Sequence, residues 1–185
     1  QGVEFSHWLV KQQVTAGTRA VDATMGNGKD TTFLAQLVGN RGLVWGFDIQ
    51  QKAIDKTQTN LQETGLNKRV TLIHDGHQHL KKYVNSPVGA IMFNLGYLPG
   101  SDKEIITQPR TTIQALQAGL DLLRVGGIIT LVVYPGHAEG CKEKEAVLNY
   151  TSSLENKVYN VLHYHFLNQP AEPPEVIAIK KRATE

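Results

Sequence analysis

The stretch Val21-Asp22-Ala23-Thr24-Met25-Gly26-Asn27-Gly28-Lys29-Asp30-Thr31 decides how this chain is read. It follows a short β-branched run beginning at Arg19 and opens a segment with helical spacing, so it joins a strand to a helix. Gly26 and Gly28 permit positive φ and let a ligand approach the backbone, and the helix start beyond them offers free N–H groups. Three ligand chemistries compete for such a loop. A phosphate-cradling nucleotide loop needs a glycine where Ala23 stands and Ser or Thr after the lysine. Here Asp30 follows Lys29, so the magnesium ligand is missing. A dinucleotide loop needs a third glycine where Thr31 stands, and a helix start that accepts an anion, which Asp30 opposes. S-adenosylmethionine has no phosphate and carries a sulfonium and an ammonium, which suit Asp22 and Asp30 on the two sides of the loop. An NAD-binding dehydrogenase and a non-catalytic nucleotide-binding module are the alternatives of a different class.

Outward from the loop, short β-branched runs alternate with longer helical segments, the pattern of successive βαβ units and a mainly parallel sheet. Strands are predicted at Arg19 to Ala23, Leu43 to Asp48, Val70 to His74, Ala90 to Asn94 and Gly127 to Tyr134. Helices are predicted at Gln50 to Thr64, Asp102 to Leu123 and Glu139 to Leu154. Ile113, Leu116, Leu120 and Leu123 illustrate their three- and four-residue apolar spacing. Lys157 to Phe166 and Val176 to Lys180 read as two late strands with no helix between them, hence an antiparallel hairpin at a sheet edge. The expected fold is α/β: a Rossmann-like methyltransferase domain spanning 1–185 as one unit, with a seven-stranded, mainly parallel sheet and a C-terminal antiparallel hairpin.

Two more acids follow strands. Asp48 ends the second, where a carboxylate can accept both ribose hydroxyls of an adenosyl group. Asp75 follows the third, where it can accept the adenine amino group while the Gly76 N–H faces a ring nitrogen. The competing explanation is that Asp30, Asp48 and Asp75 merely cap helices, but capping leaves the paired glycines unexplained. The fourth strand runs into Asn94-Leu95-Gly96-Tyr97-Leu98-Pro99-Gly100 at the carboxyl edge, where open α/β sheets bind ligands. An Asn amide oxygen and a backbone carbonyl can hold an amine with its lone pair aimed at a methyl group, while an aromatic ring packs on a base. Asn94, Leu95 and Tyr97 fit those roles, although Leu95 and Gly96 stand where an Asn-Pro-Pro-Tyr motif has prolines. The fifth strand ends at Tyr134-Pro135-Gly136-His137, and His137 is a candidate proton acceptor. His74, His77 and His79 lack the ligand pattern of a zinc site, so no metal is expected. Cys141 lacks the surroundings of a methylation nucleophile.

Composition agrees with a folded domain: 41% of the 185 residues are hydrophobic and 19% charged. The single cysteine excludes an internal disulfide, and no apolar run is long enough to span a membrane. The expected compartment is the cytoplasm. A net charge of +2 decides little about partners, so a nucleic-acid substrate needs a local surface.

Together, Asp22 to Thr31, Gly46-Phe47-Asp48-Ile49-Gln50, Asp75-Gly76-His77, Phe93 to Gly100 and Tyr134 to His137 resemble a bacterial family labelled rRNA methylases. Asn168-Gln169 and Pro173-Pro174 also look like this family. Its members have been assigned as tRNA methyltransferases that convert 5-aminomethyl-(2-thio)uridine at the wobble position to the methylaminomethyl form. The resemblance therefore implies a tRNA anticodon stem-loop as partner, with rRNA or a small-molecule amine as the alternative acceptor. It also implies a homodimer. Carried over by residue, it implies cofactor contacts from Asn27, Asp30, Asp48, Gln50, Asp75, Gly76 and His77, with Lys29 contributing backbone. The acceptor amine would be held by Asn94 and Tyr97, with Tyr134 and His137 nearby.

Overall fold

Alternation along the central strands sends side chains into two separate cores. The strands β1 (Arg19–Asp22), β4 (Val88–Asn94) and β5 (Leu123–Val133) direct Ala20, Ala90, Met92 and Ile128 into one core. They direct Val21, Ile91, Phe93, Ile129 and Leu131 into the other. Strands buried on both faces read as nearly continuous apolar runs, as these do. Helices α1 (Gly2–Lys11), α2 (Lys29–Val38) and α3 (Gln51–Glu63) cover the first face, contributing Val10, Leu34 and Leu61. Helices α4 (Leu80–Tyr83), α5 (Pro109–Leu122) and α6 (Ala138–Ser152) cover the second through Leu80, Leu116 and Val147. The computed structural model describes residues 1–97, 106–169 and 172–183.

With β2 (Leu43–Asp48), β3 (Val70–His74), β6 (Tyr159–Tyr164) and β7 (Glu175–Lys181), the sheet has the order β3-β2-β1-β4-β5-β7-β6. The first five strands are parallel, and β7 inserts antiparallel between β5 and β6. This is the expected mainly parallel sheet with its late hairpin. The order reverses between β1 and β4, so the loops leaving their carboxyl ends diverge and open a crevice there. The glycine loop and the Asn94 segment flank that crevice.

Some boundaries differ from the sequence reading. The helix expected from Asp102 to Leu123 is seen from Pro109, whose ring is preset for a first helical position. Asp102 and the Leu98-Pro99-Gly100 part of the motif lie outside the described residues. Leu123 begins β5 rather than ending the helix. It pairs with Val88, and the register shifts before Ala90 meets Ile128, with Gly126 at φ +75 in the intervening segment. α1 had no counterpart in the sequence reading. Its buried stripe is Gly2, Ser6 and Val10, and Ser6 donates to the Thr130 hydroxyl of β5 at 2.9 Å, so small and polar residues replace the usual apolar ones. Among the described residues, no helix is long and apolar enough to cross a membrane.

Candidate active site

The glycine loop is clamped from three sides. Ala23 N–H donates to Met92 O of β4 at 2.8 Å, and Met25 N–H to Phe47 O of β2 at 2.9 Å. Gly26 and Gly28 adopt φ 52 and 78. At Gly28 a Cβ would lie 2.6 Å from Thr57 Oγ1 of α3, so both backbone sign and space exclude a side chain. Asp22 lies beneath the loop with no exposed surface. Its carboxyl accepts from Thr24 N–H at 3.2 Å and from the Thr31 hydroxyl at 2.6 Å. Burial, reinforced by the charge of Asp30, pushes its pKa up to about 8. Where a cationic ligand contact was expected, Asp22 is buried away from the surface and ties β1 to the first turn of α2.

Asp30 is also buried, and its Oδ1 lies 2.6 Å from His7 Nε2. The His7 ring stacks on Phe33 with centroids 3.8 Å apart. Sequence reasoning missed His7 because its partners Asp30 and Phe33 lie on α2, and only folding brings them against α1. Lys29 is exposed at the start of α2, and the Asn27 carbonyl accepts from Asn60 Nδ2 at 3.3 Å.

Asp48 has the geometry of a preorganised diol acceptor. Its Oδ2 accepts from Gly26 N–H at 2.9 Å and its Oδ1 from Gln50 N–H at 2.8 Å. Those two bonds hold the carboxylate in place, and each oxygen keeps a further lone pair. Gln50 thus enters through its backbone, at the head of α3. Asp75 is differently employed. Its Oδ1 accepts from its neighbour Gly76 N–H and from His79 Nδ1, each at 2.8 Å, and its Oδ2 from the Tyr83 hydroxyl at 2.8 Å. Chiefly through the His79 bond, its pKa falls to about 2. The expectation that the Gly76 N–H is open to a ring nitrogen is corrected, because that donor is taken by Asp75 itself. His77 is buried, with Nδ1 3.1 Å from the Ala23 carbonyl. A carbonyl only accepts, so Nδ1 bears the proton and Nε2 is left as a buried acceptor without a partner. Burial lowers the His77 pKa to about 4, so the ring is neutral at pH 7.

Across the crevice, Asn94 N–H donates to Thr24 Oγ1 at 2.6 Å, coupling the two loops. The Tyr134 ring lies against this segment, 3.9 Å from where a Cβ on Gly96 would stand. Burial and the charge of Asp30 raise the Tyr134 pKa, so its hydroxyl stays protonated. Tyr97 is exposed and bridges antiparallel to Ile106. Thr107 secures this segment: its hydroxyl accepts from Gly96 N–H at 2.8 Å and donates to Glu143 Oε2 at 2.6 Å. The buried Glu143 also accepts from Thr112 at 2.6 Å. Thr107 and Glu143 were invisible in the sequence because their contact joins α6 to a distant loop. His137 is exposed and caps α6, its Nδ1 accepting from Gly140 N–H at 3.0 Å. That bond uses the lone pair a proton acceptor needs, so the expectation of His137 as a base is corrected to a structural one. Among the described residues, no group of three His, Cys, Asp or Glu side chains is placed to hold a metal ion.

A left-handed glycine loop over β1, a fixed carboxylate ending β2 and an amide ending β4, all on one edge of a 3-2-1-4-5-7-6 sheet, define a Rossmann-like methyltransferase that uses S-adenosylmethionine. Residues 44–180 match the family model described as "Putative rRNA methylase", and the chain belongs to that family. It is 36% identical to the chloroplastic tRNA (mnm(5)s(2)U34)-methyltransferase of Arabidopsis thaliana, covering 98% of this chain and 70% of that protein. A crystal structure of a Clostridium thermocellum protein described as a "putative rRNA-methylase" is 50% identical with a TM-score of 0.96, covering 98% of this chain and 97% of that one. A Streptococcus mutans protein described as "a putative methyltransferase", solved in complex with SAH, is 42% identical with a TM-score of 0.90, covering 98% of each chain.

Proposed function

We propose that this protein N-methylates the aminomethyl group of 5-aminomethyl-(2-thio)uridine at the wobble position of tRNA. The observation that carries the reading is the likeness, along nearly the whole chain, to a tRNA (mnm(5)s(2)U34)-methyltransferase. The site is chemically suited to it. Asp48, fixed by the Gly26 and Gln50 N–H groups, would hold the ribose hydroxyls of the cofactor, and His77 Nε2 is a buried acceptor that fits a donor from the ligand. Bound there, S-adenosylmethionine supplies a methyl group on a sulfonium.

On the acceptor side, a primary ammonium has no lone pair, so it must lose a proton to water before it reacts. The Asn94 amide oxygen accepts an N–H from the neutral amine and orients its lone pair, and the Tyr134 ring walls the same segment beside Gly96. The new C–N bond forms as the C–S bond breaks, and the methylated ammonium then releases a proton to water. Most of the acceleration is orientation, since a sulfonium is already a good donor.

Methyl-tritiated S-adenosylmethionine incubated with tRNA bearing 5-aminomethyluridine tests the reading, followed by mass analysis of the nucleosides. Label in methylaminomethyluridine is the expected result. No label in tRNA, or label only in rRNA, overturns it.

A further inference from the structure

A cavity of about 360 Å³ opens beside the acceptor segment. Its walls come from three separated parts of the chain: Gly2 and Glu4 on the first turn of α1, Tyr134 just beyond β5, and Phe166, Pro173 and Pro174 between β6 and β7. Tyr134 therefore belongs both to the cavity and to the acceptor segment, since its ring lies 3.9 Å from where a Cβ on Gly96 would stand. The walls fit closely, for a Cβ on Gly2 would come within 3.2 Å of the Pro174 carbonyl oxygen. Aromatic rings continue outward from the cavity. Phe166 meets Tyr164 edge-on at 5.2 Å, and Tyr164 stacks on Phe5 at 4.3 Å. An aromatic ring and prolines give flat apolar walls that hold a planar heterocycle, which is how unpaired bases are gripped.

We propose that this cavity receives the pyrimidine ring of the acceptor nucleotide, turned out of the RNA strand. The ring lies between Phe166 and the Pro173-Pro174 segment, with its aminomethyl arm directed past Tyr134 to Asn94. The inference rests on the tRNA reading above and adds the place where the base is held. A base presented this way leaves its stack, which costs least in a single-stranded loop.

Steady-state methylation of an anticodon stem-loop carrying 5-aminomethyluridine provides the test, using Phe166→Ala, Phe166→Leu and Phe166→Trp. Loss of one base–aromatic stack raises KM for the stem-loop about tenfold in Phe166→Ala. Phe166→Leu behaves like Phe166→Ala, Phe166→Trp keeps the original KM, and calorimetric binding of S-adenosylhomocysteine is unchanged in all three. Equal recovery by leucine would show that only packing volume matters and would overturn the proposal. An unchanged KM in Phe166→Ala, with normal transfer by the unaltered protein, overturns it alone and leaves the functional reading standing. A changed molar mass of Phe166→Ala in light scattering assigns the cavity to a second copy of this chain, which also overturns it. No transfer by the unaltered protein removes the functional reading and this one with it.

Discussion

Asp22→Asn should stabilise this protein above neutral pH and leave cofactor binding intact. Asp22 has no exposed surface, and its pKa rises from 3.8 to about 8, chiefly because burial disfavours the charged form. In the unfolded chain the carboxyl ionises near its ordinary value, so between about pH 4 and 8 the folded state holds a proton that the unfolded state has lost. The group therefore contributes most at low pH, and its contribution declines as pH rises through that window. The slope is about 1.4 kcal/mol per pH unit, and the full span is on the order of 5 kcal/mol. An asparagine cannot ionise, yet its amide can still accept from Thr24 N–H and bond the Thr31 hydroxyl. The assay is urea unfolding of both proteins at pH 5, 7 and 9. Buried His77, lowered to about 4, acts in the opposite sense, since its stabilising effect grows as pH rises from 4 to 6.5. That contribution is common to both proteins and cancels in the difference. The variant's advantage should grow steadily with pH, while calorimetry shows unchanged S-adenosylhomocysteine affinity. A difference that is flat with pH would refute the reasoning, as would a loss of cofactor affinity, which would return Asp22 to the ligand.

Asp48→Ala should weaken S-adenosylhomocysteine binding by about a hundredfold or more, the value of two charge-assisted hydrogen bonds at ~1.5 kcal/mol each. Asn94→Ala should spare that binding in calorimetry and lower kcat by about a hundredfold; equal loss of binding in both variants would contradict the separation of donor and acceptor sides. Gly28→Ala forces a side chain onto φ 78 and against Thr57. It should cost about 1–3 kcal/mol, read as a lower Tm together with weaker cofactor binding. His137→Ala should cost about 1 kcal/mol as a lost helix cap and leave the shape of the pH–rate profile unaltered. A displaced limb of that profile would restore His137 as a base.

The sequence alone determined the class of fold and the kind of donor, because both depend on local patterns. β2 and β3 were legible to the residue, Leu43–Asp48 and Val70–His74, since period and chain direction are local properties of a strand. The glycine spacing and the acid after it likewise sorted phosphate ligands from a cationic one before any contact was known. What only the tertiary structure decided is how each carboxylate is used. Asp22, Asp48 and Asp75 all follow strands and look alike in sequence. Burial makes the first a neutral tie beneath the loop, two backbone donors fix the second toward the crevice, and His79 and Tyr83 engage the third. A carboxylate's role depends on desolvation and on the donors that surround it, and those arrive from elsewhere in the chain. The same is true of His7, whose partner Asp30 lies on another helix, and of the cavity joining Glu4, Tyr134 and Phe166. Only folding brings such distant residues to one edge of the sheet.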